Sequence, residues 1–344
     1  MQNSSITMLS SRGRGISADL SLMRTHLVSE NNVEHVTFRS FSKNERTDND
    51  VINQGAAKMR RQFCEEAEHV ICIDASFSGR IYDPAGIRLL LASPYDYQFK
   101  NTLLAQKKPR RISTLKKFSH IIAGSPFTER LLKHSYRLEE TEIVSQVALP
   151  LAWEVCQEER RRAEKEKIAW YYPEILHKKI MVILTVGAET KKDMPFFGAF
   201  PVREFMDKLG EDWFVFTNST TMMENAYTLP ARYRANFSYI NHLMQVADLL
   251  YTADVLLTNN GRMAASFAGC RKPTYCLLCN NSSYEQYMKA HYRELCIENA
   301  DDMLSCPWDQ KTDVLQRFCD DFYYLQAQNP YKKTAELLRL KPTS

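Results

Sequence analysis

Short apolar runs alternate with polar, helix-spaced segments along almost the whole chain. Residues 6–9 predict a strand, followed by the polar turn "SSRGRG" and a helix over about 18–28. "VEHVTF" (33–38) predicts the next strand, and a helix is expected over about 50–66. "HVICID" (69–74), "GIRLLLAS" (86–93) and "HIIAGS" (120–125) are unbroken apolar runs, as strands covered on both faces require. Ser125 and Pro126 read as a helix cap and a first helical residue. "EIVSQVALP" (142–150) closes this half.

Residues 151–177 break the rhythm. They are charged, helix-spaced and end near a proline, which reads as a linker helix. The alternation then restarts with "KKIMVILTVG" (178–187), a helix over about 202–209, "DWFVFTN" (212–218) and "NFSYIN" (236–241). Leu243, Val246, Ala247 and Leu250 fall on one helical face. "DVLLTN" and "PTYCLL" predict two more strands, and a final helix is expected over about 312–327. No internal repeat is evident.

This pattern predicts an α/β fold with two doubly wound, Rossmann-like domains facing a central cleft. The expected boundaries are 1–150 for the first domain, 151–177 for the linker helix and 178–310 for the second domain. Residues 311–344 are expected to form helices packing back toward the cleft. Parallel sheets of this kind bind ligands at the carboxyl ends of their strands, so the cleft is the expected site.

Composition narrows the class. A chain of 344 residues, 44% hydrophobic and 25% charged, suits two globular domains. No apolar run approaches 18 residues, and the first residues lack a signal-peptide pattern, so a cytoplasmic location is expected. Nine cysteines without framework spacing fit a reducing compartment. Cys276 and Cys279 form a CxxC, but on a strand they point to opposite faces, which argues against a shared metal. The eight histidines show no ligand spacing, and no GxxxxGK[ST], GxGxxG or GxSxG occurs, so no metal and no cofactor are expected. Net charge is +4, with basic groups concentrated in "KKPRRISTLKK" (107–117) and "ERRRAEKEK" (159–167). These are either solvated faces or a surface for an anionic acceptor or lipid headgroups, with peripheral membrane contact as the alternative. No nucleic-acid motif accompanies them, so no nucleic-acid partner is expected.

The most informative stretch is "ADVLLTNNGRMAASFAGCRKPTYCLL" (253–278), a strand, a sharp loop, a short helix and another strand. A helix opening at Gly261 or Arg262 presents backbone N–H groups and a positive dipole end. Gly261 permits close backbone approach, Asn259 and Asn260 supply amide donors, and Arg262 adds a cationic fork suited to phosphate. The loop therefore reads as a metal-free diphosphate site, with a plain βα turn as the alternative.

The segment 236–278 resembles the C-terminal half of the CDP-glycerol glycerophosphotransferase family, teichoic-acid polymerases and primases with the two-domain GT-B fold. Asp254, Val255, Leu256, Leu257, Thr258 and Lys272-Pro273 match its pattern. "VILTVGAETKKD", "SPFTERLL" and "FCDDFYYLQAQNPYKKTAELL" are similar to other parts of it, so the likeness spans roughly 120–340. The departures are specific. The family's Asp-Tyr-Ser-Ser is Asn259-Asn260-Gly261-Arg262, and its histidine-proline after a strand is Asn218-Ser219. Its Trp-His-Gly-Thr-Pro has no match, "LLASPYDYQ" standing there, and the carboxylate that many GT-B enzymes use for the donor ribose is Ser266.

The resemblance implies transfer of glycerol phosphate, or a related alditol phosphate, from a CDP-activated donor to a hydroxyl acceptor in cell-surface glycopolymer synthesis. The acceptor would be a glycan or lipid-linked glycan. Thr185, Gly187, Asn218, Ser219, Asn259, Asn260, Gly261, Arg262 and Ser266 are the donor-side candidates. Asp96 is the first candidate general base and Asp74 the second, both following buried strands. Arg12, Arg14 and Ser125 are the acceptor-side candidates. A glycosyltransferase using a nucleotide sugar, and a relative that binds nucleotide or glycan without turnover, remain as alternatives.

Overall fold

The computed structural model describes residues 4–10, 17–31, 33–40, 68–73, 86–92, 115–116, 118–135, 138, 143–185, 200–240, 245–279, 283–308 and 311–342. The chain divides into two units, Met1–Trp153 with Tyr323–Ser344, and Glu154–Phe322. The expected helix over 50–66 lies outside the described residues.

The first unit is built on β1 (Ser4–Ser10), α1 (Ala18–Glu30), β2 (Val33–Ser40), β3 (His69–Cys72), β4 (Arg88–Leu91), β5 (His120–Gly124), α2 (Pro126–Ser135) and β6 (Ile143–Ala148). Its six strands form a parallel sheet in the order β2-β1-β3-β4-β5-β6. Val70, Ile71, Cys72, Leu89, Leu90 and Leu91 are fully buried, which is why these strands carry no polar alternation. Ser17 caps α1 through Leu20 N–H, and the helix lays Leu20, Met23 and Leu27 on the sheet. The strand order reverses direction between β1 and β3, so their carboxyl ends form this unit's switch point.

One buried group gives this unit a pH dependence. His69 Nδ1 accepts the Ile87 N–H at 3.1 Å, and its Nε2 lies 3.6 Å from Glu68. Gly86 leaves the ring its room, since a Cβ there would sit 2.5 Å from His69 Nδ1. Burial lowers the His69 pKa below 6.5, against the weaker pull of Glu68. The unfolded chain therefore protonates first. The contribution is complete above about pH 6.5 and declines as pH falls below it. We expect the urea midpoint to drop between about pH 7.5 and 5.5. His69→Asn, which keeps an acceptor for Ile87 and does not titrate, should shrink that drop. A wild-type midpoint flat across this range would refute the account.

The second unit begins within α3 (Pro150–Val155) and continues through α4 (Glu158–Ala169), a 3-10 turn (Pro173–His177), β7 (Lys179–Leu184), α5 (Val202–Leu209), β8 (Trp213–Thr217), α6 (Thr220–Ala226), α7 (Ala231–Arg234) and β9 (Phe237–Tyr239). Then come α8 (Val246–Thr252), β10 (Val255–Thr258), α9 (Gly261–Phe267), β11 (Thr274–Leu277), α10 (Ser283–His291), β12 (Cys296–Ile297), α11 (Ala300–Ser305) and α12 (Asp313–Phe322). The strands are parallel in the order β12-β11-β10-β7-β8-β9. Counted within the unit this is the dinucleotide-fold order, and it reverses between β7 and β10. α5 shows why the helices form where they do. Val202, Phe205, Met206 and Leu209 are buried at helical spacing, and Gly210 ends the helix at φ 79°.

The charged α4 is fixed to this unit. Arg161 Nη2 donates to Ala253 O at 2.6 Å, and Lys165 Nζ donates to Lys178 O at 3.2 Å. The helix expected around Val246 begins there, with Gln245 and Asp248 as a capping box. It buries Leu249, Leu250 and Tyr251, so Leu250 of the predicted face is buried, while Leu243 lies outside the described residues. The helix expected over 312–327 stops at Phe322, the last of its buried row Leu315, Phe318, Cys319 and Phe322. The chain returns to the first unit through α13 (Pro330–Leu337). Asn329 caps α13 by accepting from Tyr331 and Lys332 N–H, and Tyr331 stacks on His26 with ring centroids 3.8 Å apart.

Candidate functional site

The carboxyl ends of β8, β7 and β10 lie side by side, in register through Thr217 opposite Ile183 and Thr258 opposite Leu184. Two of these ends repeat one construction. Thr217 Oγ1 accepts the Ser219 N–H at 3.0 Å, and Thr258 Oγ1 accepts the Asn260 N–H at 3.0 Å. Both threonines are fully buried. The residue so held then caps the following helix. Ser219 Oγ accepts the Met222 N–H, and Asn260 Oδ1 accepts the N–H groups of Arg262 and Met263. "FTNST" and "LTNNG" are thus the same turn used twice, a local echo that a search for whole repeats passes over.

Thr185, at the end of β7, sits between these turns. Asn218 brackets it. Its Oδ1 accepts the Thr185 N–H at 2.8 Å and hydroxyl at 3.2 Å, while its Nδ2 donates to Thr185 O at 2.7 Å. The amide works as a side-chain rung that continues the ladder past the last strand residue. Asn218 is therefore a positioning residue with its polar atoms committed.

Asn260 is arranged differently. Its oxygen faces back to the helix, so its NH₂ is turned away from those two N–H groups. The cap thus satisfies two of the backbone donors at the start of α9. Gly261 is buried, Arg262 is half-buried with Nε closed to solvent, and Asn259 is buried. Ser266 is buried one turn further along α9.

The residues behind the family resemblance divide by location. Asp254 and Lys272 meet at 2.5 Å, and Asp254 Oδ2 accepts the Ile180 N–H at 2.9 Å, at the amino ends of β7, β10 and β11. They clasp the rim opposite the candidate site. The departures, Asn218-Ser219 and Asn259 through Arg262, lie at the carboxyl rim.

In the first unit Ser125 caps α2, accepting the Thr128 N–H at 3.2 Å, and its hydroxyl meets Thr128 Oγ1 at 2.8 Å. It is fully buried. Asp96, Asp74, Arg12, Arg14 and Gly187 lie outside the described residues. Glu285 was absent from the sequence reading. It is a buried carboxylate accepting the Cys279 N–H at 3.0 Å, beyond the end of β11. Among the described residues no cluster of His, Cys, Asp or Glu is placed to hold a metal ion. No helix among them is long and apolar enough to cross a membrane.

Comparison with solved structures decides the architecture. The wall teichoic acid polymerase TagF superposes with a TM-score of 0.62 at 10% identity, covering 97% of this chain and 88% of TagF. The fold is of the GT-B type. A UDP-bound MnaA from S. aureus matches with a TM-score of 0.56 at 13% identity, over 100% of both chains. A UDP-N-acetylglucosamine 2-epimerase described as putative, from Listeria monocytogenes, matches with a TM-score of 0.58 at 11% identity, over 98% of this chain and 95% of its own. No family model matches the chain, and no curated protein matches it in sequence.

Proposed function

We propose that the chain is a GT-B-type transferase that binds a nucleotide-activated donor at the β7/β10 switch point. The observation that supports this reading is the Asn260–Arg262 loop at the carboxyl end of β10, whose amide and arginine side chains suit a phosphate where such folds take nucleotides. Thr185 and Asn259 line the same strand ends. Arg262 neutralises charge on the departing nucleotide, so the reaction needs no resident metal.

The transferred group we assign is glycerol phosphate or a related alditol phosphate from a CDP donor. An acceptor hydroxyl attacks the donor's β-phosphorus, the bond to the bridging oxygen breaks, and CMP leaves. The acceptor is a glycan or lipid-linked glycan, and Asp96, or else Asp74, takes the hydroxyl proton. Support comes from the quoted sequence resemblance and from the likeness to TagF, also solved after soaking with CDPG. A second reading, a nucleotide-sugar enzyme, is favoured by the end-to-end match to the UDP-bound MnaA.

A thermal-shift panel of CDP-glycerol, CDP-ribitol, CMP, UDP-sugars and GDP-sugars tests both. A ligand at 100 times its dissociation constant adds about 2.7 kcal/mol of stability. We expect a cytidine-selective shift and CMP release from CDP-glycerol. A uridine-selective shift with no CMP release replaces the first reading by the second. No shift with any nucleotide removes both. Arg262→Ala should weaken donor binding by about 10- to 100-fold, the equivalent of one charged hydrogen bond.

A further inference from the structure

None of the eight described cysteines is in a disulfide. Two pairs lie close together. One is Cys276 and Cys296, opposite each other on β11 and β12, with Cys276 fully buried. The other joins two distant parts of the second unit. Cys156 lies in the turn between α3 and α4, and Cys270 ends the 3-10 turn that follows α9. Both are half-buried as residues, whereas Cys276 is fully buried.

The surroundings of Cys270 are those of a reactive thiol. Its Sγ donates to Val155 O at 3.2 Å, the carbonyl immediately before Cys156. Arg161 Nη1 donates to the same sulfur at 3.4 Å. That guanidinium cannot swing away easily, because its other contacts are Val155 O at 3.3 Å and Ala253 O at 2.6 Å. The Cys156 thiol donates to the Cys270 sulfur, and this bond, followed by the charges of Arg161 and Lys272, lowers the Cys270 pKa against the effect of burial. Burial pushes Cys279 and Cys319 up to about 12 and Cys306 to about 11, while Cys296, hydrogen-bonded by Cys276, is lowered as Cys270 is. A sulfur beside a fixed cation and a second thiol is a setting that favours oxidation.

We propose that Cys156 and Cys270 form a dithiol site that hydrogen peroxide converts to a disulfide. The Cys270 thiol gives up its proton, its thiolate attacks one peroxide oxygen, the O–O bond breaks, and the departing hydroxide takes up that proton as water, leaving a sulfenic acid. Cys156 sulfur then attacks Cys270 sulfur. The S–S bond forms, the S–O bond breaks, and the departing hydroxide takes the Cys156 proton as water. Two thiols and one peroxide thus become a disulfide and two waters. The bond ties the α3–α4 turn to the far end of α9, the helix that Asn260 opens. It does not depend on which donor that helix serves.

The test uses the full chain, reduced, desalted and treated with equimolar peroxide, then alkylated and digested without reductant. Mass spectrometry should find the Cys156 and Cys270 peptides joined, with the loss of two hydrogens. In Cys156→Ser, dimedone should label Cys270. In Cys270→Ser, no linked peptide should form and Cys156 should stay unlabelled. Arg161→Gln should slow the wild-type reaction by about tenfold. Both peptides recovered fully alkylated from wild-type protein, or Cys276–Cys296 as the bond that forms, would overturn the proposal.

Discussion

Asn260→Asp is expected to leave the fold intact and to weaken nucleotide-diphosphate binding by at least about 100-fold. The two effects separate because the residue has two faces. Toward the helix, Asn260 Oδ1 accepts from Arg262 and Met263 N–H, and an aspartate oxygen accepts them equally well. A carboxylate at a helix start also gains about 0.3–1 kcal/mol from the dipole. Toward the ligand the same change replaces two donors with a second acceptor that carries charge. Two like charges about 4 Å apart in a partly screened site repel by about 4 kcal/mol. The unfolding midpoint should therefore stay or rise while affinity collapses. Calorimetric titration of wild type and variant, with melting curves beside it, reads both. If the loop is a plain turn, Asn260→Asp binds whatever wild type binds with equal affinity.

The same residue shows what sequence reading captures. "TNNGR" between two apolar runs predicts a strand, a sharp loop and a helix start, and α9 opens at Gly261 as expected. Strand and helix positions follow from burial periodicity, which is local, so the alternation of βα units was readable. Side-chain commitments were not. Asn218 reads as a site-lining amide because it follows a strand. It brackets Thr185 because β8 happens to lie beside β7, a neighbour relation that only the strand order supplies. Ser125 reads as a helix cap and does cap α2, but its contact with the Thr128 hydroxyl and its full burial were not readable from the sequence. The Cys156–Cys270 approach joins residues more than a hundred positions apart with no spacing signal. Helix starts were legible at Ala18 and Gly261, and a helix end was misread at 312–327. There the apolar row ends at Phe322, and Asn329-Pro330 was the available sign that a new helix starts.

Asn218→Ala should have the largest effect on stability and carry binding with it. The substitution strips Thr185 of a partner for its N–H, its carbonyl and its hydroxyl together. Thr185 is buried, so water does not readily replace the lost amide. A buried polar group left unpaired costs about 1–3 kcal/mol, and some of these will find water after local movement. The expected net loss is about 3 kcal/mol, which lowers the melting midpoint of a unit this size by about 6–12 °C. The damage is placed where the strand order reverses, so donor affinity should fall even at temperatures where the variant stays folded. Ser219→Ala is the matched comparison. It removes a cap from α6, one hydrogen bond at 3.3 Å, for about 1 kcal/mol, and touches Thr185 at no point. If binding depends on how Thr185 is held, Asn218→Ala loses affinity well beyond Ser219→Ala when both are measured folded. If the two variants bind alike, the bracket supports the sheet alone and Thr185 has no part in holding the donor.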